Sequence, residues 1–230
     1  MSSEFFQAIR SGDRAAVERL LAGNPGLIHA RADGLSPILV AAYQHEPALA
    51  ELLAEKTVTL DIFEAAATGK TATIIRLLAR EPELINQYSE DGFQPLGLAC
   101  YFGQIDTAEF PLKAGAAVNA YSTNTLHAAP LQSAAAGRHL DVVRLLLAHG
   151  ADPNCRNNRS QTPLHAAAQN GDMDMIRVLI FGGSDLESRD DDNKLPVDLA
   201  LDAEHEEAAR LLMEGITRRN RTRRPTVPRP

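Results

Sequence analysis

The chain repeats itself with a period of about 33 residues, the length of one compact helical repeat unit, and this period narrows the possible folds more than any other feature. Thr162-Pro163-Leu164-His165-Ala166-Ala167-Ala168 has weaker copies in register. One is Ala129-Pro130-Leu131-Gln132-Ser133-Ala134-Ala135, and another is Leu195-Pro196-Val197-Asp198-Leu199-Ala200. Pro130, Pro163 and Pro196 are evenly spaced at that period, and earlier copies are Gln94-Pro95-Leu96 and Ser36-Pro37-Ile38. Half a period later a second string recurs. It reads Val142-Val143-Arg144-Leu145-Leu146-Leu147-Ala148-His149-Gly150-Ala151-Asp152, then Met175-Ile176-Arg177-Val178-Leu179-Ile180-Phe181-Gly182-Gly183-Ser184-Asp185. Such a period marks a supersecondary unit that cannot bury its apolar face alone and must stack on its neighbours.

The physics of one unit predicts a helical hairpin. Pro163 fixes φ and lacks an N–H, which costs nothing in a helix's first turn, and Thr162 before it is an N-cap residue type. Leu164, Ala167 and Ala168 then fall on one stripe of a short inner helix. Its alanines allow neighbouring helices to approach closely. Asn170-Gly171 ends it, since glycine accepts the left-handed terminal conformation. Met175, Ile176, Val178, Leu179 and Ile180 supply a second helix, stopped by Gly182-Gly183. The polar run from Asp185 to Asn193 is an exposed finger. Leu145 and Leu179 are expected in the core, so that truncating either to Ala costs about 2–5 kcal/mol.

Together this period and the Thr-Pro-Leu-His opening resemble the ankyrin repeat. The resemblance covers roughly Glu4 to Ile216. It implies an all-α solenoid of about seven helix-turn-helix units with short β-hairpin fingers. The units lie near residues 4–33, 34–60, 61–91, 92–127, 128–159, 160–192 and 193–216. On Ile62-Phe63-Glu64-Ala65-Ala66 and Gly92-Phe93-Gln94-Pro95-Leu96-Gly97-Leu98-Ala99 the chain is also similar to small stand-alone bacterial ankyrin proteins.

Departures from the repeat carry their own predictions. The step from Pro37 to Pro95 falls eight short of two periods. The shortage falls at Glu55 to Asp61, so the finger between units two and three is missing and a notch is expected in the finger row. The step from Pro95 to Pro130 is two longer than one period, which places two extra residues within Ala120 to Ala129. Pro111, inside the outer-helix string of unit four, is expected to kink or shorten that helix. Thr-Pro-Leu-His survives in full once, which puts the inner hydrogen-bond network in question. At both ends charged residues (Arg10, Arg14, Glu18 and Arg19, then Glu204, Glu206, Glu207 and Arg210) interleave with apolar ones, as solvated terminal units require.

Charge divides the 230 residues unevenly. The net formal charge is −7, yet residues 217–230 hold Arg218, Arg219, Arg221, Arg223, Arg224 and Arg229 with no acid. Without these six, 17 basic residues face 30 acidic ones, a body charge of −13 that repels nucleic acid phosphates. Residues 217–230, with Pro225, Pro228 and Pro230, read as a flexible basic tail. No apolar run reaches the ~18 residues of a membrane span. Residues 1–13 show no signal-peptide pattern. The two cysteines, Cys100 and Cys155, cannot staple so long a chain. Together these features predict a monomeric cytoplasmic protein.

No pattern of catalysis emerges, and no enzyme, cofactor or metal site is expected. Gly69-Lys70-Thr71 lacks the first glycine of a phosphate loop and reads as a turn. The seven histidines form no His-x-x-x-His pair, and the cysteines lack zinc spacing. Asp190-Asp191-Asp192 lacks the glycine and distal Glu of a calcium loop. Cys100 reads as core, whereas Cys155 lies in a finger and is open to exposure. The resemblance assigns His165 a structural role, linking neighbouring units by hydrogen bonds.

What remains is a binding surface. Ankyrin stacks grip other macromolecules on a concave face of inner helices and fingers. Registering Leu96 on Leu164 puts Tyr101 and Phe102 where unit six has Gln169 and Asn170, and the same exercise puts Tyr43 opposite Gln169. The resemblance makes these positions groove-facing, and rigid aromatics dominate hot spots. Tyr88, Phe93 and Tyr121, on neighbouring fingers, extend the candidate patch. The competing reading is that these rings fill gaps left by the irregular units. Phe5, Phe6, Phe63 and Phe110 read as core. The expected function is a non-catalytic protein-interaction scaffold. The alternative is an anion-binding arm for nucleic acid or a membrane surface, made by the arginine-rich tail.

Overall fold

The computed structural model of the chain describes residues 2–223. Among them, fourteen α-helices follow one another in pairs: α1 (Ser2–Arg10) and α2 (Arg14–Gly23), α3 (Pro37–Tyr43) and α4 (Pro47–Lys56), α5 (Ile62–Ala67) and α6 (Thr71–Arg80), α7 (Pro95–Tyr101) and α8 (Ile105–Lys113), α9 (Pro130–Ala136) and α10 (Leu140–Ala148), α11 (Pro163–Gln169) and α12 (Met173–Phe181), α13 (Pro196–Asp202) and α14 (Glu206–Arg223). Five of the seven first helices open on the repeat's proline. The third instead uses Asp61, whose carboxylate accepts the amides of Phe63 and Glu64 while Glu64 accepts that of Asp61.

The helices gather into two compact units. Among the described residues the first comprises 2–117 with 122–124, and the second 118–121 with 125–223. In the first unit α1, α3, α5 and α7 pack in succession, with α6 against α8 behind them. The second unit stacks α9, α11 and α13, with α10, α12 and α14 as the outer row. Alanines make the close approach possible: Ala41, Ala65, Ala99, Ala134 and Ala167 are fully buried where inner helices face each other.

Between pairs, the chain forms fingers that are tight turns, without a strand among the described residues. An antiparallel bridge joins Ala32 and Leu35. Asn157 and Asp190 donate to the carbonyls of Gln161 and Lys194, and Ser89 to that of Phe93. Consecutive fingers are tied by asparagines. Asn86 Oδ1 accepts the Ala117 amide at 3.0 Å in the first unit. Asn119 and Asn154 accept the amides of Asp152 and Asp185 at 2.8 and 2.7 Å in the second.

The finger between the second and third pairs is missing, as its length predicts. The expected notch is not there. The finger at 88–93 closes on the finger at 31–35, where Glu90 covers Gly34 so tightly that a Cβ would lie 2.5 Å from its carboxylate. Pro111 does not shorten α8, which keeps nine residues like α10 and α12. The basic segment begins as helix: α14 runs through Arg223. Residues 224–230 of that predicted tail lie outside the described residues. No described helix is long and apolar enough to cross a membrane.

Candidate functional site

Three of the six nominated aromatics come together in the first unit. Tyr43 ends α3, Tyr101 ends α7, and Phe102 caps α7. Their ring centroids are 6.0 Å apart for Tyr43–Tyr101, 5.3 Å for Tyr43–Phe102 and 5.0 Å for Tyr101–Phe102, the last edge to face. The second and fourth pairs thus meet across the third. Residue sizes explain how: α5 is one residue shorter than α3 and α7, and it ends on Ala67 with Thr68 as its cap. Small side chains there leave room for the flanking rings.

All three rings are half-buried. Tyr43 and Phe102 also lean on the apolar core of the first unit. The Tyr43 hydroxyl donates to Asp91 Oδ2 at 2.6 Å, across the place where the finger is missing. Ser89 donates to the other Asp91 oxygen, and Asn124 Nδ2 to its carbonyl at 2.8 Å. Burial, then the neighbouring Asp91 carboxylate, pushes the Tyr43 phenol far above its ordinary range.

The other three nominees separate. Phe93 is 7% exposed and belongs to the core, so its ring is not available to a partner; the expectation that it extends the patch is corrected. Tyr88 stands 40% exposed on its finger. Tyr121 belongs to the second unit, where its ring stacks on His127 at 4.5 Å and its hydroxyl accepts the Arg156 amide at 3.3 Å. Of the basic candidates, Arg218 lies 3.9 Å from Glu214 and Arg219 donates to Asp185 at 3.1 Å. Arg221, Arg223 and Arg224 lie outside the residues whose side chains are described.

The remaining chemistry-bearing residues have structural work. His165 is fully buried. Its Nδ1 accepts the Thr162 amide at 3.1 Å and sits 2.9 Å from the Thr162 hydroxyl. Since a backbone N–H must donate, Nδ1 is unprotonated, and Nε2–H donates to the Lys194 carbonyl at 3.2 Å. The imidazole thereby joins the sixth pair to the seventh. Burial holds its pKa below the ordinary value. Gln132 does the same in the fifth pair, accepting the Ala129 amide and donating to the Gln161 carbonyl at 2.7 Å. The network therefore survives loss of the histidine.

Gly69 turns α5 into α6 beneath the Gln104 side chain, while Lys70 pairs with Glu51, so no open phosphate cradle forms. Asp190 folds its carboxylate onto its own finger, accepting the amides of Asp192 and Lys194. Cys155 is buried, contrary to the exposure its finger position suggests, and burial pushes its thiol up to about 12. Among the described residues no group of three or more His, Cys, Asp or Glu side chains is placed to hold a metal ion.

The sequence model of a family described as ankyrin repeats (3 copies) matches residues 62–157 and 131–221, more than half of the chain. The chain belongs to the ankyrin repeat family. Ankyrin repeats generally mediate protein–protein interaction, and the family is typically non-catalytic. This ankyrin protein is also similar to the Arabidopsis thaliana protein named "Putative E3 ubiquitin-protein ligase XBAT35", with 36% identity over 89 residues. The matched stretch is 38% of this chain and 19% of that relative, so the chain spans about a fifth of the relative's length.

One exposed ring escaped the sequence reading. Phe181, at the end of α12, is 96% exposed. It continues the apolar string of the second helix, and its signal was available one period earlier, where the aligned residue is the small Ala148.

Proposed function

We propose that this ankyrin protein is a non-catalytic scaffold that binds another protein through the first unit, with Tyr43, Tyr101 and Phe102 at the centre of the contact. The observation that carries this reading is the half-buried aromatic triad itself. Three rings stand where the sixth pair offers Gln169 and Asn170, and they are locked by mutual packing and by Asp91 before any partner arrives. Preorganised side chains lose little entropy on association, and aromatics with an exposed edge are the usual anchors of such contacts. Tyr88, exposed on a finger of the same unit, is a candidate for the rim.

The test writes the sixth pair's residues into the fourth: Tyr101→Gln with Phe102→Asn. The expected result is loss of partner capture from an extract of the source cells, with the helical circular dichroism signal retained. Unaltered capture, with a fall in melting temperature, would assign the triad to packing alone. The anion-binding alternative gains nothing from Arg218 and Arg219, each of which stands beside an acid.

A further inference from the structure

The outer face of the second unit carries a surface that the aromatic triad does not explain. Phe181 projects from the end of α12 almost fully into solvent, and a depression opens on each side of it. Toward α10 the floor is Leu147 and Val178; toward α14 it is Ile180, Leu186 and Leu211. A glycine helps to open each depression. A Cβ at Gly182 would lie 2.9 Å from Leu147, and one at Gly215 would lie 3.2 Å from Leu186. Neither glycine is required by its backbone. Gly182 has φ −70°, and Gly215 lies inside a helix, where glycine is less favourable than alanine.

Charge around the depressions runs against that of the molecule. They are rimmed by Arg144, Arg177, Arg218 and Arg219, with Glu214 as the one acid of the described lining. Arg144 and Arg177 stand one repeat period apart on consecutive outer helices. Arg144 has no ion-pair partner among the described residues, and Arg177 shares Asp174, a bond of 2.9 Å between two exposed groups. A chain of net charge −7 thus presents Arg144 and Arg177 beside an apolar knob and two apolar depressions, while Arg218 and Arg219 stand against Glu214 and Asp185.

We propose that this face docks an acidic amphipathic segment of a partner protein, apolar side chains entering the depressions beside Phe181 and carboxylates meeting Arg144 and Arg177. Charge complementarity selects the occupant, since a basic or neutral segment would leave Arg144 unmatched and Arg177 with only the exposed Asp174. Two discrete depressions receive side chains, whereas a bilayer would meet little beyond the Phe181 ring. The surface is separate from the aromatic triad, and its test does not depend on that reading.

The probe is a fluorescein-labelled helical peptide with Leu and Glu at amphipathic spacing; its counterpart carries Lys in place of Glu. Fluorescence anisotropy with the full chain is expected to show saturable binding of the Glu peptide and none of the Lys peptide. Phe181→Ser, at a solvent-exposed position, should keep the melting temperature and weaken binding at least tenfold. Arg144→Glu with Arg177→Glu should abolish binding of the Glu peptide. Tyr101→Gln with Phe102→Asn should leave it unchanged, which separates the two surfaces. The proposal is overturned by equal binding of both peptides, by no binding, or by undiminished binding to Phe181→Ser. Two other outcomes also overturn it. One is a Phe181-dependent dimer in light scattering without peptide binding. The other is Phe181-dependent binding to phosphatidylserine–phosphatidylcholine vesicles in place of the peptide.

Discussion

Tyr43 shows how one side chain compensates for a deleted element. Its ring meets those of Tyr101 and Phe102 across the third pair, and its hydroxyl reaches Asp91 on the finger beyond the missing one. Tyr43→Phe keeps the ring and removes the donor to a carboxylate, so the chain should lose about 1 kcal/mol, the lower end for a charge-assisted bond in a half-solvated site. Urea unfolding of the variant checks this, and an unchanged midpoint would mean that water replaces the phenol. His165 is more deeply committed. Its folded pKa lies below the ordinary imidazole value of ~6.5, so the unfolded chain takes up the proton more readily. Its contribution to stability is therefore complete above that ordinary value and declines as pH falls below it. His165→Gln, the residue that serves at Gln132, should preserve the inter-pair link and remove this part of the pH dependence. Unfolding free energies of both proteins from pH 7.5 to 5 compare the two slopes; identical slopes would refute the assignment.

At the scale of the element, what could be read from the sequence was what the period fixes. Pro163, Leu164 and Ala167 specify a short helix by their spacing, and the count between Pro37 and Pro95 specifies a missing finger. Closure of the neighbouring fingers over that deletion could not be read, because it depends on Glu90 finding Gly34, a glycine nearly two periods earlier in the chain. The candidate site was half legible for the same reason. Register gave Tyr43 and Tyr101 the same position in their pairs, whereas the meeting of their rings across the third pair, the burial of Phe93 and the exposure of Phe181 follow from packing that no local pattern states. Leu145 and Leu146 show the limit at one-residue resolution: three consecutive leucines occupy α10, and Leu146, not Leu145, is fully buried. Leu179→Ala should therefore cost about 2–5 kcal/mol, and Leu145→Ala under about 2. Thermal unfolding of the pair checks the order. Fingers permit a similar contrast between glycines. Gly92 (φ 81°) and Gly115 (φ 93°) both disfavour a side chain. Around Gly115 there is open space, whereas a Cβ at Gly92 would lie 2.7 Å from the Asn124 amide nitrogen. Gly92→Ala should lower the melting temperature more than Gly115→Ala does.

Across the whole molecule, the repeat decides how a local loss spreads. Packing follows chain order within each unit: α9 to α11 to α13 in one, α1 to α3 to α5 to α7 in the other. In such stacks stability is close to a sum of unit and nearest-neighbour terms, so a weakened element first releases its neighbours. Leu179 is fully buried in α12, which packs on α10, α11 and α14. Amide hydrogen exchange of Leu179→Ala should therefore lose protection most in α10 to α14 and least in α1 to α4. The comparison distinguishes two behaviours that share one melting curve. Graded loss along the chain would make each surface tunable by its own neighbourhood, so that the outer face around Phe181 could loosen while the triad at Tyr43 stays formed. Uniform loss across all fourteen helices would mean that the chain opens as one cooperative body, and neither surface could then be altered without the other.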